Sequence, residues 1–415
     1  MNIKRIVFYL LCVLLPFENT ALASIGGVFT APLGIILVPV MLLLILTDIR
    51  KLPAFDLNVI KFFFLTLGLS FVSLLFFLEF DTGFLIDRGS RFVLIVIPTF
   101  TVFLFTMRQS MKTINKGCLI VFFIVLISYL INLLLPSVVN TPSFIQHNAA
   151  FSPHRMRGFT LEASTFAFQF VLACLLFARI KNVRPIYCFI CVSFLTFITT
   201  SKGGVLSFIL AFLLAYIICL FRVSSTVKYV STALLLPLML LASQDTIAAM
   251  FASDIEKYTS VATRSTISLT AIVSLFHYPI GAGFFGFLPS IYNCGPIAME
   301  ILDYFFPNTF NYSEVVKYFV VGQVKGVGTK TFFMDWLIVG GMVFLYFYIK
   351  SIKAYIKMLN KTKDFYTYTI FIFLVIATFF YMPLDGRYIA PLALAFIIKT
   401  SREFDKVNAN RSEGL

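Results

Sequence analysis

The run Arg155-Met156-Arg157-Gly158-Phe159-Thr160-Leu161-Glu162-Ala163-Ser164 sets two guanidiniums and a carboxylate at the entrance of an apolar stretch. Cations in such a place can hold an anionic group, and arginine adds a planar fork suited to bidentate contacts. A second group is Thr199-Thr200-Ser201-Lys202-Gly203-Gly204, where hydroxyls, an ammonium and two glycines let backbone and cation approach an anion closely. In a third, Arg264 precedes His277-Tyr278-Pro279-Ile280-Gly281-Ala282-Gly283-Phe284-Phe285-Gly286. Glu162 and His277 are the residue types that move protons. The Gly281-x-Gly283-x-x-Gly286 spacing imitates a dinucleotide fingerprint, but no strand precedes it and no βαβ unit surrounds it. Proline and glycines there read instead as a sharp bend that holds His277 near a surface, where a lone histidine is more often structural than catalytic.

The elements that must position these groups are membrane spans. Of 415 residues 60% are hydrophobic, 17% aromatic and 13% charged, with a mean hydropathy of +0.94. A soluble domain carries about 25% charged residues. The composition therefore gives an all-α polytopic membrane protein. The net charge of +14 does not mark a nucleic-acid binder, because the basic residues are spread over short interhelical loops.

With roughly 20 apolar residues per span, about twelve transmembrane helices are predicted. They fall near 6–20, 28–47, 59–79, 92–107, 117–136, 161–179, 185–200, 203–221, 228–243, 331–349, 366–383 and 388–399. Met1 to Ser24 also has the layout of a secretory signal, with Lys4 and Arg5, an apolar middle, and Ala21-Leu22-Ala23 before Ser24, although an uncleaved first span is the commoner state in a multispanning chain. Placing the N-terminus in the cytoplasm puts two thirds of the 33 basic residues inside and returns the C-terminal tail to the cytoplasm.

Two segments break the rhythm of short loops, both on the extracytoplasmic side: about 137–160, and the long 244–330. The chain then divides into an N-terminal bundle (1–243), a large periplasmic loop (244–330) and C-terminal spans with a cytoplasmic tail (331–415). Within the loop, Arg264 to Phe276 interleaves apolar and hydroxyl residues and predicts an amphipathic helix along the membrane surface. Topology disfavours basic residues outside, so each one there asks for a reason. Arg88, Arg91, Lys317 and Lys325 are read as snorkelling to headgroups, and Asp385 with Arg387 as a lid pair or a capped turn. Cys188-Phe-Ile-Cys191 lacks a second ligand pair, Cys294 stands alone in the outer loop, and no disulfide framework is implied. With no Asp-x-Asp pair or histidine cluster outside, neither metal nor other cofactor is expected.

Taken together, these segments resemble the superfamily of O-antigen polymerases (Wzy-type) and O-antigen ligases over roughly residues 150–345. Arg155-x-x-Gly158 running into Glu162-Ala163-Ser164 is similar to the family's Arg-x-x-Gly and Glu-Pro-Ser elements, with Ala163 in place of proline. Thr199 to Gly203 is similar to its Thr-x-Ser-Arg-Gly turn, with lysine for arginine. Arg264 and His277 to Gly283 resemble its arginine, amphipathic helix and His-x-Pro-x-Gly-x-Gly. Thr329-Lys330-Thr331 leading to Gly340-Gly341 occupies the place of a His-Asn step that this chain lacks. That histidine carries general-base chemistry in the ligases, and its absence favours polymerase over ligase.

The resemblance implies a GT-C-like membrane glycosyltransferase in the bacterial inner membrane with a periplasmic active face. It would transfer a glycan from undecaprenyl diphosphate to a lipid-linked repeat unit, with the undecaprenyl-diphosphate-linked oligosaccharide and a chain-length regulator in the membrane as partners. The donor is already activated, so charge compensation on the diphosphate and placement of the acceptor hydroxyl are what the protein supplies. Arg155, Lys202 and Arg264 are assigned to the diphosphate, with Arg157 and Lys330 as secondary candidates. Glu162 and His277 compete as base; Glu162, beside cations, suits orientation better. The other readings are O-antigen ligase, and a lipid-linked oligosaccharide flippase or transporter. The near absence of charge within the spans and the lack of matching halves count against the transporter.

Overall fold

The computed structural model describes residues 3–18, 20, 22, 33–47, 54–143, 145–150, 153–220, 259–323, 327–362, 364–380, 382 and 388–413. Among these there are helices and no strands. The first helices are α1 (Ile3–Leu14), α2 (Val38–Leu46), α3 (Ala54–Ser73), α4 (Thr82–Met107) and α5 (Met111–Leu134). The middle of the chain forms α6 (Pro136–Asn140), α7 (Ala163–Lys181), α8 (Pro185–Ile198), α9 (Lys202–Leu220), α10 (Thr259–His277) and α11 (Phe287–Phe305). The last are α12 (Phe332–Thr362), α13 (Phe365–Phe380) and α14 (Ile389–Glu413).

Each expected span except 228–243, which lies outside the described residues, overlaps a helix over at least part of its length. Among the described residues, length and composition qualify five helices to cross a membrane, α4, α5, α7, α9 and α12. Shorter apolar helices lie at others of the expected spans. The protein is membrane-embedded, and its described residues form helices and no strands. Closing every backbone hydrogen bond within the segment is what lets such apolar runs leave water.

The chain forms two compact units. One comprises Met1–Leu52, Ile95–Leu220 and Tyr355–Leu415, the other Pro53–Leu94 and Phe221–Ala354. The first is built around α7, most of whose residues are buried. Phe177 stacks on Phe122 of α5 with ring centroids 4.1 Å apart, and Phe168 lies 5.7 Å from Phe373 of α13. The helix ends at Asn182 in the left-handed conformation, with Arg179 and Lys181 in the last turn, where cations suit the negative end of the dipole. Arg179 Nε also pairs with Asp364 at 2.7 Å.

In the second unit α10 pairs with α11 through Val273, Leu269, Cys294 and Ala298. The expected loop 244–330 therefore holds a helical hairpin; its part 244–258 lies outside the described residues. The expected amphipathic helix is the longer Thr259–His277. Its buried side includes Thr266, Ile267, Thr270, Ala271 and Ser274, which pack in protein.

The hairpin's turn meets a break in α12. Gly341 has φ 50° and ψ −136°, which interrupts the helix. The exposed backbone groups are taken up by the turn: Ala282 N–H donates to Ile338 O at 2.8 Å, Gly283 N–H to Val339 O at 3.0 Å, and Met342 N–H to Pro279 O at 2.8 Å. Gly281 has φ +94°, and a Cβ there would lie 2.3 Å from Val339 O, so only glycine fits. The glycine spacing that imitates a nucleotide fingerprint is thus a backbone-to-backbone seam. Phe284 N–H adds a bond to Ser70 Oγ of α3 at 2.8 Å.

Candidate functional site

Within the first unit the Arg155–Glu162 segment is a bracket clamped by buried side chains. Asn132 of α5 accepts with one oxygen from the backbone N–H groups of Arg157 and Gly158, each at 2.9 Å. Gln146 donates to Gly158 O at 2.7 Å, and Thr160 Oγ donates to Arg157 O and Glu162 O at 2.8 and 2.9 Å. Gly158 sits at φ +49° with the Phe166 ring 2.3 Å from where a Cβ would be. A side chain at Gly158 would break this turn.

Arg157 faces inward. It is 3% exposed, and its guanidinium donates to Val139 O at 2.6 Å and Asn148 O at 2.8 Å. Burial lowers its pKa from the ordinary arginine value. The sequence reading puts Arg157 on a ligand; in the folded chain both described guanidinium contacts go to main-chain carbonyls.

Arg155, two residues earlier, is half-buried and reaches the Thr200 carbonyl at 3.4 Å. Thr200 lies just before Lys202, the first residue of α9. Ser201 Oγ accepts from Gly204 N–H at 3.4 Å at this helix start. A Cβ on Gly204 would lie 2.7 Å from Ala167 Cβ, so the first turn of α9 packs on the second turn of α7. Two helix N-termini, Arg155 and Lys202 are therefore gathered on one side of this unit. Helix N-termini carry partial positive charge, and a lysine in the first turn opposes the dipole unless an anion is present. Glu162 caps α7 with extended backbone, is exposed, and accepts from Ser164 Oγ at 3.3 Å. Basic residues at helix N-termini form the kind of positive end that suits an anion.

In the second unit Arg264 and His277 share α10 but do not meet. Thirteen residues at about 1.5 Å of rise place them roughly 20 Å apart along the axis. Arg264 is exposed. His277 ends the helix, and its Nδ1 is 3.1 Å from Val273 O. A carbonyl only accepts, so Nδ1 carries the proton in that contact and Nε2 is the basic nitrogen of the neutral ring. Lys330 has φ +64°, and its Nζ lies 5.4 Å from the centre of the Tyr318 ring. Beside it Asp335, buried in the first turn of α12, accepts from Thr329 N–H and Oγ at 2.9 and 2.8 Å. Sequence reasoning missed Asp335; a carboxylate at the head of an apolar span was the available signal. It also missed Asn132 and Gln146, neutral residues without a motif. Asp385 and Arg387 lie outside the described residues.

No model of a known protein family matches the chain, and no solved structure matches it. A protein of Klebsiella pneumoniae, described as an uncharacterized 49.5 kDa protein in the cps region, is 35% identical over 415 residues. The match covers 97% of this chain and 94% of that protein.

Proposed function

The chain belongs to the family of the Klebsiella pneumoniae cps-region protein, and on that footing we propose that it is a surface-polysaccharide polymerase of the inner membrane. It transfers a glycan from undecaprenyl diphosphate to a lipid-linked repeat unit at the periplasmic face. Two lines support the reading: a relative from a capsule region, and a membrane-embedded chain. The observation that carries it is the gathering of Arg155 and Lys202 at the packed N-terminal turns of α7 and α9.

In the proposed reaction an acceptor hydroxyl attacks the anomeric carbon of the donor glycan, and the bond from that carbon to the diphosphate oxygen breaks. The electron pair leaves on the diphosphate, whose growing charge Arg155, Lys202 and the two helix dipoles offset. The hydroxyl proton goes to a base, for which Glu162 and His277 are the candidate residue types. Arg264 and Lys330 belong to the second unit, and within the first unit Arg157 acts as a strut of the bracket.

The test is the surface-glycan ladder of a gene-deleted strain complemented with Arg155→Ala or Lys202→Ala, after membrane levels are matched. Loss of one diphosphate contact should lower polymer by about a hundredfold and leave single repeat units on the surface. Full ladders from both Arg155→Ala and Lys202→Ala refute the assignment. Polymer retained on the carrier lipid would point to a ligase, and no glycan outside to a flippase.

A further inference from the structure

The proposed mechanism makes no use of the first 24 residues, which have the layout of a cleavable signal. Yet α1 is cut into the core of the first unit. Phe8, Leu11 and Cys12 have no exposed surface. A Cβ on Gly117 of α5 would lie 2.5 Å from the Phe8 ring and 2.7 Å from Cys12 Sγ, so the two helices are in contact there.

Beyond α1 the chain touches the bracket directly. Phe17 stacks on Phe159 with ring centroids 4.8 Å apart, and Glu18 N–H donates to Phe159 O at 3.1 Å. The Glu18 side chain, 7% exposed, accepts from Gln169 Nε2 at 2.6 Å. Phe159 lies between Arg155 and Glu162. Gln169 lies seven residues after Glu162 on α7, close to two turns, and so on the same stripe of the helix. One residue of the signal-like segment thus ties down both the loop that carries Arg155 and the helix that follows it. Removing the segment would strip Phe159 of its stacking partner and leave the buried Gln169 amide without its acceptor, an expensive loss in apolar surroundings.

We infer that Met1–Ser24 stays attached in the working protein and that Glu18 is a positioning residue of the site. The second half of this rests on the reading under Proposed function. Glu18 acts through Phe159 and Gln169, and the requirement at position 18 is an acceptor oxygen.

Two measurements test it. A chain tagged at both ends should show both tags on one full-length membrane band; loss of the N-terminal tag at the length expected for cleavage after Ala23 overturns retention. In the ladder assay Glu18→Ala should lower polymer at least about tenfold at matched membrane level, because a displaced contact near a reacting centre is costly. Glu18→Gln, which keeps an acceptor for Gln169, should restore it. A full ladder from Glu18→Ala alongside a lost ladder from Arg155→Ala overturns the inference and spares the function. Full ladders from both overturn the role of Glu18 together with the assignment of Arg155 that it serves. Should Glu18→Ala fail to accumulate, the double variant Glu18→Leu with Gln169→Leu removes both polar partners together; full polymer from it equally overturns the role of Glu18.

Discussion

The Arg155–Glu162 bracket and the Pro279–Gly283 turn are both irregular chain among apolar helices, and both depend on a left-handed glycine. They differ in what satisfies the backbone. The bracket is held by side chains, Asn132, Gln146 and Thr160, with Arg157 turned back on two carbonyls. The turn is held by other backbone, Ile338, Val339 and Met342 of the broken helix. A side-chain clamp can present Arg155 and Glu162 on one edge while its own polar groups are buried. A backbone seam presents nothing, and its glycines serve closeness alone.

The sharpest way to break this contrast is Gly281→Ala. A Cβ 2.3 Å from a main-chain oxygen at positive φ has no flexible neighbour to move, so the expected cost is at least about 3 kcal/mol. It is measured as loss of folded protein from the membrane. Gly158→Ala meets a phenyl ring in place of backbone, and should cost about 1–3 kcal/mol in detergent melting. Equal losses from the two would erase the distinction.

Next comes Arg157→Ala, which leaves the Val139 and Asn148 carbonyls without their donor. It should destabilise by about 2 kcal/mol, where Arg155→Ala, a partly exposed change, should stay within about 0.5 kcal/mol. Thermal melting of the two variants side by side decides whether one arginine is a strut and the other a ligand. Asn132→Leu should cost about 1–2 kcal/mol by orphaning two N–H groups, while Asn132→Asp keeps an acceptor and should cost less. Rescue failing in the aspartate would show that packing, not hydrogen bonding, holds the bracket.

The smallest effect concerns Cys294 in the hairpin. Burial pushes its thiol up to about 11, so thiolate is scarce at pH 8 and a water-soluble maleimide should leave Cys294 unlabelled until the protein is unfolded. Rapid labelling in the native protein would mean that the α10–α11 contact opens.

Much of the architecture was legible because span signals are local. Apolar runs announced α4, α5, α7, α9 and α12, with the bounds of α7 and α9 within a few residues and the start of α4 and the end of α12 missed by ten or more, and the start of α7 at Glu162-Ala163 was read directly from the charge boundary. The direction a side chain turns was not legible. Arg155 and Arg157 stand two apart in one motif, yet their fates are set by Asn132 and Val139 in an earlier stretch, which no spacing rule connects to them. The glycines of 281–286 read as a bend, but what the bend packs against stayed hidden because its partner, Gly341, lies in another helix. Glu18 was hidden by a segment whose composition fits export as well as it fits a core helix.

The interruption at Gly341 has a consequence for biogenesis. When α12 enters the bilayer from the translocation machinery, its ladder lacks the bonds that Ala282, Gly283 and Pro279 provide. Each bare amide or carbonyl in lipid costs several kcal/mol. Stable insertion of α12 is therefore coupled to prior docking of a hairpin translated before it, and the order of assembly of this half of the molecule is written into a single glycine.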